Sequence, residues 1–437
     1  MSNLEVLVIG GGIGGLCLAQ GLKKAGVKVA VYERDETPSS RLQGFRVHIN
    51  PEGSVALYEC LEPELWTVFD RTGGTFTRGF TVMTEQLKEL LFLGMDDDGA
   101  ANEAHPRERT PRSPGSEIAR HRSVSRITLR HILLRGLEDV VHFNKRFVRY
   151  EEAEGRVVAH FEDGSTAEAD VLVAADGVSS RVRQQYLPHA EPIDTGMVVL
   201  GGKLPLTDGA LAMLPARLLD GPMIVMPHEA ASLFLAVWKR ETGGDRYLRL
   251  VGIEEEIPED DDYVILGFAA KREHFGFRSD PLTMRGAELK DAVRGRVLRW
   301  HPTLRKLVEL LDEDEMAPAR IRTSQPVKAW TTTRVTLLGD AIHSMTPYRG
   351  IGANIALKDA ALLSRKLTEA ERGEKPLLPA IAEYEAAMRE YGFAAVASSL
   401  RAMEQSTGEK SAGFGVAKAA MRVMNAVPAL RRRMIPA

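Results

Sequence analysis

Cysteine is scarce in this chain of 437 residues, which has only Cys17 and Cys60, and no run of 18 or more apolar residues occurs. Two cysteines exclude a disulfide framework and favour a reducing compartment. The lack of a long apolar run predicts no transmembrane segment. Glu5 interrupts the first apolar run, which argues against a signal peptide. We therefore expect a globular, cytoplasmic protein.

An excess of positive charge is also missing. Lys and Arg number 57 against 60 Asp and Glu, for a formal net charge of −3, and this balance argues against a nucleic-acid partner. The 11 histidines show no HExxH or paired-cysteine spacing, so we predict no metal site. The length allows about two or three domains.

The N-terminus carries a glycine-rich turn between a strand and a helix. Residues 4–9 and 28–33 are short apolar runs and 14–25 is rich in helix formers, which predicts a parallel βαβ unit. Gly10, Gly12 and Gly15 satisfy GxGxxG in this unit. Such glycines allow a tight turn and the close approach of a pyrophosphate to the helix N-terminus. Glu33 ends the second strand, where a carboxylate can accept hydrogen bonds from an adenosine ribose.

Two further motifs follow later in the chain. Asp176-Gly177 lies within VLVAADGVSSRVR, and Gly339-Asp340 opens GDAIHSMTPYRGIGAN. Taken alone, each is also typical of an ordinary turn or helix cap. Asp163-Gly164 predicts a hairpin between strands 156–162 and 166–174. Residues 335–339 predict a strand, 353–367 a helix, and 376–437 further helices.

The order of these three motifs resembles that of the single-component FAD-dependent aromatic hydroxylases, the para-hydroxybenzoate hydroxylase-like flavoprotein monooxygenases. The resemblance implies an α/β fold with a Rossmann-like FAD-binding domain, an inserted sheet-based substrate domain and a C-terminal helical segment. The FAD-binding domain is expected in 1–72, 118–188 and 326–372, and the substrate domain in 73–117 and 189–325. The helical segment is expected in 373–437, and the polar stretch near 94–122 as a mobile loop that covers the site.

The resemblance also implies the residues that contact FAD. The glycines of the first motif would face the pyrophosphate, Arg41 the phosphates, Arg126 the ribityl–phosphate region and Asp340 the ribityl hydroxyls. The Asp176-Gly177 turn would meet both FAD and NAD(P)H, and the backbone of Val148 the adenine. The expected cofactor-binding residues are Gly10, Gly12, Ile13, Gly14, Gly15, Glu33, Arg34, Arg41, Arg126, Val148, Asp176, Gly177, Asp340, Pro347, Gly350, Gly352, Ala353 and Asn354.

The loop from Pro347 to Asn354 precedes a predicted helix. A helix N-terminus carries about half a positive charge. Beside the pyrimidine edge of the flavin, this end would stabilise the anionic reduced ring.

Three polar residues are candidates for catalysis. Arg46 and His48 share one face of the strand that follows Arg41. Arg46 could hold a phenolate or carboxylate, and His48 could accept a proton near neutral pH; a structural histidine is the competing interpretation. Arg349 lies inside the flavin loop, where it either tunes the oxygenating species or faces solvent.

The resemblance implies an FAD-dependent monooxygenase that consumes NADPH or NADH and O2. It would insert one oxygen atom into an electron-rich aromatic or polyketide-like small molecule through a flavin C4a-hydroperoxide. A Baeyer–Villiger oxygenase, in which Arg46 would hold the peroxide anion, remains an alternative. A reductase of the geranylgeranyl type and a non-catalytic flavin-binding protein are weaker ones, and the chain has no WxWxIP segment typical of halogenases. The substrate, the preferred nicotinamide and the oligomeric state stay open.

Overall fold

A computed structural model describes residues 4–38, 40, 46–75, 79–94, 117–239, 244–253, 255, 257, 262–277, 280–407 and 412–427. Arg41 and most of the expected mobile loop, 95–116, lie outside these residues. The described strands are, in chain order, β1 (Glu5–Ile9), β2 (Lys28–Tyr32), β3 (Arg46–Ile49), β4 (Gly74–Thr75), β5 (Gly79–Met83), β6 (Glu89–Gly94), β7 (Arg122–Ser125), β8 (Val141–His142), β9 (Phe147–Ala153), β10 (Arg156–Phe161), β11 (Thr166–Ala169), β12 (Val171–Ala174), β13 (Ile193–Pro205), β14 (Met223–Val225), β15 (Ala231–Trp238), β16 (Tyr263–Lys271), β17 (Ala317–Thr323) and β18 (Val335–Leu337).

The described α-helices connect or cover these strands. They are α1 (Ile13–Lys24), α2 (Pro51–Cys60), α3 (Pro63–Thr72), α4 (Arg126–Leu134), α5 (Arg181–Tyr186), α6 (Asp208–Met213), α7 (Ala216–Asp220), α8 (Asp245–Leu250), α9 (Arg272–Phe275), α10 (Gly286–Val297), α11 (Pro302–Glu309), α12 (Asp340–His343), α13 (Gly352–Glu371), α14 (Leu377–Thr407) and α15 (Ala412–Ala426). Short 3₁₀ turns occupy Pro281–Thr283 and Pro347–Arg349.

A five-stranded parallel sheet forms the N-terminal core, in the order β18-β12-β1-β2-β8. Its strands β1 and β12 are almost fully buried, because α1 and other helices cover a parallel sheet on both faces. This sheet, together with α14 and α15 at the C-terminal end, confirms the expected α/β class with a Rossmann-like domain.

The predicted strand 166–174 is wrong as a single element, because the chain changes sheets at Asp170. Residues up to Ala169 form β11, which pairs antiparallel with β10 in a separate three-stranded sheet. Residues from Val171 form β12, which runs parallel to β1. The Asp170 amide donates to the Glu5 carbonyl at 3.0 Å, and its Oδ2 accepts from the Glu5 amide at 2.9 Å. These two bonds fix the point at which the chain leaves the hairpin.

A seven-stranded sheet in the order β17-β13-β16-β15-β14-β5-β6 forms the second layer. Its outer face packs against α6, α7, α10 and α11 through a core that includes Leu200, Leu233 and Phe268. Its inner face, which carries Ser232, is turned toward the loop that holds Tyr348, because the hydroxyls of these two residues lie 3.3 Å apart. The inner face of the seven-stranded sheet therefore lies over the loop of the first layer that holds Tyr348.

The helix α15 closes the edge of this inner face. Met421 and Met424 pack on a small apolar cluster that includes Val82 and Ile224. Asn425 accepts from the Phe92 amide at 3.0 Å through Oδ1 and donates to Glu89 Oε1 at 2.8 Å through Nδ2. Within the described residues, no helix combines the length and apolarity that a membrane crossing requires.

Replacing Asn425 by leucine should loosen the docking of α15, because the Phe92 amide and Glu89 lose their partner. The expected cost is about 1–2 kcal/mol in the free energy of unfolding of this helix from the sheet. Limited proteolysis should cut Asn425→Leu faster at the C-terminal end than the wild type. The exposed substitution Ala419→Gln is the control, and equal cutting rates for all three proteins would contradict the assignment.

Candidate flavin site and the cleft beside it

The ends of four parallel strands bring the three sequence motifs together. Strands β1, β2, β12 and β18 are neighbours in one sheet and run parallel. Gly10 follows β1, Glu33 follows β2, Asp176 follows β12 and Asp340 follows β18. Because carboxyl ends of parallel strands share one edge, the motifs form a single site at that edge, where open α/β sheets bind ligands.

Two glycines of the first motif are required by contacts within the protein. Gly10 has φ +110°, and a Cβ there would lie 2.3 Å from the Ala175 carbonyl oxygen. A Cβ on Gly15 would lie 2.1 Å from the Gly10 carbonyl oxygen. A side chain at either position would therefore push β1 away from β12 or from α1.

Gly12 is different, because a Cβ there would meet no protein atom within 4 Å. It is the N-cap of α1 and no side chain caps this helix end. Amide groups of the first turn are thus open to an anion, and the bare Gly12 backbone lets a ligand approach closely. Ile13 and Gly14 begin this turn, and both are buried.

Glu33 is buried and holds the glycine turn as well as the end of β2. Its Oε2 accepts from the Gly11 amide at 2.6 Å and its Oε1 from the Asp35 amide at 2.9 Å. A carboxylate has further lone pairs for a ribose hydroxyl. The neighbouring Arg34 is exposed.

The Asp176-Gly177 turn caps the helix α5. Asp176 Oδ2 accepts from the Arg181 amide at 2.9 Å, while Gly177 takes φ +79°. Burial raises the pKa of the Asp176 carboxyl, and hydrogen bonds from nearby groups partly offset this. Arg183, whose role the motif alone did not reveal, is 1% exposed and donates from Nη1 to the carbonyls of Val178 and Ala341, each at 3.0 Å. It ties the second motif to the third.

Asp340 and Arg126 lie near enough for their charges to interact. Both side chains are exposed, yet protein surrounds the Asp340 carboxyl closely enough that burial raises its pKa, while the charges of His343 and Arg126 lower it. An acceptor in that position suits the hydroxyl groups of a bound ligand.

A buried carboxylate holds the Gly339-Asp340 turn in place. Asp359 on α13 accepts from the Gly339 amide at 2.7 Å and from Tyr391 Oη at 2.6 Å, and its Oδ2 lies 2.6 Å from His343 Nε2. Burial is the largest single influence and lowers the pKa of His343, but the charge and hydrogen bond of Asp359 together with the charge of Asp340 raise it more, so the net pKa is raised. Sequence analysis did not identify Asp359 or Tyr391, because they lie outside the short motif.

The first turn of α13 points its amides toward the same edge. No side chain caps its N-terminus, so Gly352, Ala353 and Asn354 have amides without the usual helical acceptor. The Asn354 side chain is fully buried, accepts from the Asn50 amide at 2.8 Å and donates to the His48 carbonyl at 2.9 Å. It thus joins the helix end to β3.

Comparison with known proteins identifies this arrangement. A model described as an FAD binding domain matches residues 3–192 and 303–397. The chain belongs to the para-hydroxybenzoate hydroxylase-like family of FAD-dependent monooxygenases. It is 35% identical to a crystal structure described as an FAD-containing monooxygenase from Photorhabdus luminescens, with a TM-score of 0.79 over 92% of this chain and 98% of that one.

Curated relatives carry related names. The chain is 32% identical over 386 residues to a dual O-methyltransferase/FAD-dependent monooxygenase of Phaeosphaeria nodorum, over 83% of this chain and 40% of that protein. It is 27% identical to 6-hydroxynicotinate 3-monooxygenase of Bordetella bronchiseptica, over 83% of this chain and 82% of that protein. The chain spans less than half the length of the dual-function relatives.

The described residues fit FAD. The open turn at Gly12 suits the pyrophosphate, the exposed Asp340 suits the ribityl chain, and the uncapped end of α13 suits the electron-rich edge of the flavin ring. The described residues are therefore consistent with the FAD binding domain that the family model matches.

The catalytic candidates of β3 lie at the boundary between the flavin domain and the seven-stranded sheet. Arg46 Nη1 donates to the Val237 carbonyl at 3.1 Å, and burial lowers its pKa to about 10. His48 Nε2 lies 2.8 Å from His121 Nδ1, and burial lowers the pKa of His48 to about 3. An imidazole with so low a pKa stays neutral at pH 7 and is a weak base, which favours the structural interpretation of His48.

The remaining predicted residues lie in two places, the turn that precedes α13 and strand β9. Arg349 and Pro347 are exposed beside the buried hydroxyl of Tyr348, whose pKa burial raises to about 12. Gly350 ends this turn with φ +61°. Val148 is 44% exposed on β9, in the separate antiparallel sheet.

Alanine at Gly15 should lower the stability of the fold, whereas alanine at Gly12 should weaken FAD binding. Gly15→Ala should destabilise the fold by several kcal/mol, since its Cβ overlaps the Gly10 carbonyl. Gly12→Ala should leave the melting temperature of the apoprotein within a few degrees of the wild type, because its Cβ meets no protein atom, and should weaken FAD binding. Thermal unfolding and FAD titration separate the two, and a stable Gly12→Ala that binds FAD like the wild type would contradict the pyrophosphate assignment.

The ion pair of His343 and Asp359 should make stability pH-dependent. Because the folded pKa of His343 is raised, its contribution is fully present below about pH 6.5, its ordinary pKa, and is lost as pH rises through the folded pKa. The difference in free energy of unfolding between the wild type and His343→Gln should therefore shrink with rising pH. Denaturant titrations from pH 5.5 to 9 measure it, with the exposed His189→Gln as control. A difference that grows with pH would refute the pairing.

Proposed function

We propose that this FAD-dependent monooxygenase consumes NADPH or NADH together with O2 and inserts one oxygen atom into an electron-rich aromatic or polyketide-like small molecule. The observation that carries the proposal is the position of Asp340 and of the uncapped first turn of α13 at the carboxyl edge of the parallel sheet, where Tyr348 of the adjoining loop meets the inner face of the seven-stranded sheet. This arrangement would provide a binding site for the flavin and, beside it, a sheet surface that can hold a second molecule.

FAD, held at the Gly12 turn, Asp340 and the first turn of α13, would supply the redox chemistry. The overall reaction balances as substrate-H, O2, NAD(P)H and H⁺ giving substrate-OH, water and NAD(P)⁺. The protein's task is to bind the flavin, orient the substrate and exclude water.

The amides of Gly352 to Asn354 would stabilise negative charge that develops on the flavin ring. A helix N-terminus of this length carries about half a positive charge. The Asn354 side chain holds this helix end against β3 through the Asn50 amide and the His48 carbonyl. The orientation of the helix end therefore depends on bonds within the protein and is set before the ring binds.

Water exclusion would come from the contacts that join the two layers. Tyr348 lies against Ser232 and packs with Val199 and Leu400. Arg46 meets the Val237 carbonyl farther along the same strand. These contacts close the cleft at two points and leave the stretch of β15 between them to face the substrate.

His48 is a weak base at neutral pH, so we do not assign it the deprotonation of a phenol. The substrate would then be a molecule, such as a polyhydroxylated ring, whose aromatic ring is electron-rich enough to react without deprotonation by a strong base of the protein.

We place the enzyme in the cytoplasm, in keeping with its two free, buried cysteines.

The proposal is tested with the purified holoenzyme under ¹⁸O2. Each nicotinamide is supplied in turn with phenols, hydroxynaphthalenes and cyclic ketones, while oxidation at 340 nm and the product mass are followed. Ligand-stimulated oxidation with one ¹⁸O atom on a ring carbon is expected, and Gly12→Val, which should not hold FAD, is the control. A lactone or ester product would instead support the Baeyer–Villiger alternative. Bound FAD that neither nicotinamide reduces would overturn the proposal in favour of a non-catalytic flavin protein.

A further inference from the structure

Two glycines lie side by side on the inner face of the seven-stranded sheet. Gly201 on β13 is the partner of Gly267 on β16, and paired residues in an antiparallel ladder point to the same face. Neither has a positive φ. Backbone conformation therefore does not demand glycine at either position, although glycine in a strand interior costs about 1 kcal/mol relative to other residues.

Packing within the protein does not demand these glycines either. A Cβ on Gly201 would have the Leu266 carbonyl oxygen as its nearest neighbour at 3.6 Å, and a Cβ on Gly267 would have Val199 Cγ1 at 3.4 Å. Both are ordinary contact distances, and both residues are partly exposed. Gly202 is the contrast, since it faces the outer core and a Cβ there would lie 3.1 Å from Met316.

A glycine that neither φ nor packing explains often marks the close approach of a ligand. The same argument applies to Gly12, whose Cβ would meet no protein atom within 4 Å. On the sheet, the two glycines leave partly exposed backbone that is bordered by the side chains of Val199 and Phe234. We call Gly201 and Gly267 the glycine floor.

Apolar side chains border the glycine floor. Phe234 on β15 is the next residue in the same row, since it pairs with Gly267, and its side chain is 36% exposed despite its place on a central strand. Ile224 pairs with Phe234 one strand farther and belongs to the cluster covered by Met421 and Met424 of α15. Along this row, the partly exposed backbone of the two glycines is followed by the exposed ring of Phe234 and then by Ile224, which α15 covers.

The two contacts that join the layers set the length of this surface. Ser232 meets Tyr348 at one end, and the Val237 carbonyl meets Arg46 at the other. Val237 is the fifth residue after Ser232, and these five steps correspond to about 16 Å at about 3.3 Å per residue. The strands of Gly201, Gly267 and Phe234 span about 10 Å across. A single aromatic ring would fill only part of this area.

We propose that the glycine floor and Phe234 bind the flat face of a fused, multi-ring phenol and so determine the substrate class. The assignment rests on the proposed monooxygenase function and narrows its substrate from aromatic rings in general to planar polycyclic ones. A flat apolar face gains contact with exposed backbone and stacks at its edge on Phe234. Side chains at the glycine positions would lift such a ligand off the sheet, whereas a small ring could bind beside them.

The test compares two ligands on the holoenzyme by isothermal titration calorimetry. The probes are 1,8-dihydroxyanthraquinone, with three fused rings, and resorcinol, with one. The variants are Gly201→Val and Gly267→Val, which add a residue that favours strands, and Phe234→Ala. Gly295→Ala, at an exposed position of α10 where a Cβ would meet no atom within 4 Å, is the control, and the flavin spectrum and melting temperature verify that each variant folds and retains FAD.

Each valine variant should bind the three-ring probe about tenfold or more weakly, a loss of about 1.4 kcal/mol or more. Resorcinol binding should change about twofold or less, and Gly295→Ala should bind both probes like the wild type. The proposal is overturned if the wild type does not bind the three-ring probe, or if the valine variants bind it as well as the wild type. It is also overturned if both probes weaken equally.

Failure of the monooxygenase function is a separate result. The three-ring probe would then bind in a glycine-dependent manner, yet no polycyclic phenol would stimulate NAD(P)H oxidation. Stimulated oxidation of single-ring phenols, unaffected by Gly201→Val, would conversely support the function and refute the glycine floor as its substrate site.

Discussion

Parallel pairing of β1 with both β2 and β12 is the constraint on which the site depends. The register places Ile9 beside Tyr32 and beside Ala174, so the glycine turn, Glu33 and the Asp176 turn must emerge together. The approach of β1 to β12 is so close that a Cβ on Gly10 would overlap the Ala175 carbonyl. Motifs far apart in sequence become one binding edge because these strands cannot slide or separate without steric overlap or loss of ladder hydrogen bonds.

Buried polar groups then hold the loops at this edge. Arg183 bonds carbonyls of the second and third motifs, and Asp359 accepts from the Gly339 amide while it meets His343 and Tyr391. Buried charges are costly unless they are paired and hydrogen-bonded, and removing one partner is strongly destabilising. Such groups thus fix the loop positions before a cofactor binds, which is the preorganisation that a flavin enzyme needs.

Local sequence signals predicted the turns that meet at the carboxyl edge of the parallel sheet. Glycine spacing, a strand before it and a helix after it identified Gly10 to Gly15, because those features act within a few residues. The strand 166–174 was predicted as one element because its apolar pattern is continuous, whereas the break at Asp170 depends on Glu5, far away in the chain. The contact of Tyr348 with Ser232 and the joining of β5 to β14 are likewise long-range. No local pattern encodes them.

The substrate side depends still more on tertiary structure. Gly201 and Gly267 are unremarkable in the sequence, and only the strand register reveals that they are neighbours on an open face. His48 shows the same limit, since its place on β3 suggested a base, while its burial beside His121 lowers its pKa to about 3. Residue type and face could be predicted, but solvation and long-range partners could not.

The central claim is that the flavin ring lies between the first turn of α13 and the inner face of the seven-stranded sheet. A crystal structure of the FAD complex tests it most directly. The account predicts the pyrophosphate against Gly12, the ribityl chain at Asp340 and the pyrimidine edge of the ring at the amides of Gly352 to Asn354, with the glycine floor beside it. A ring bound away from both α13 and the sheet would contradict the account.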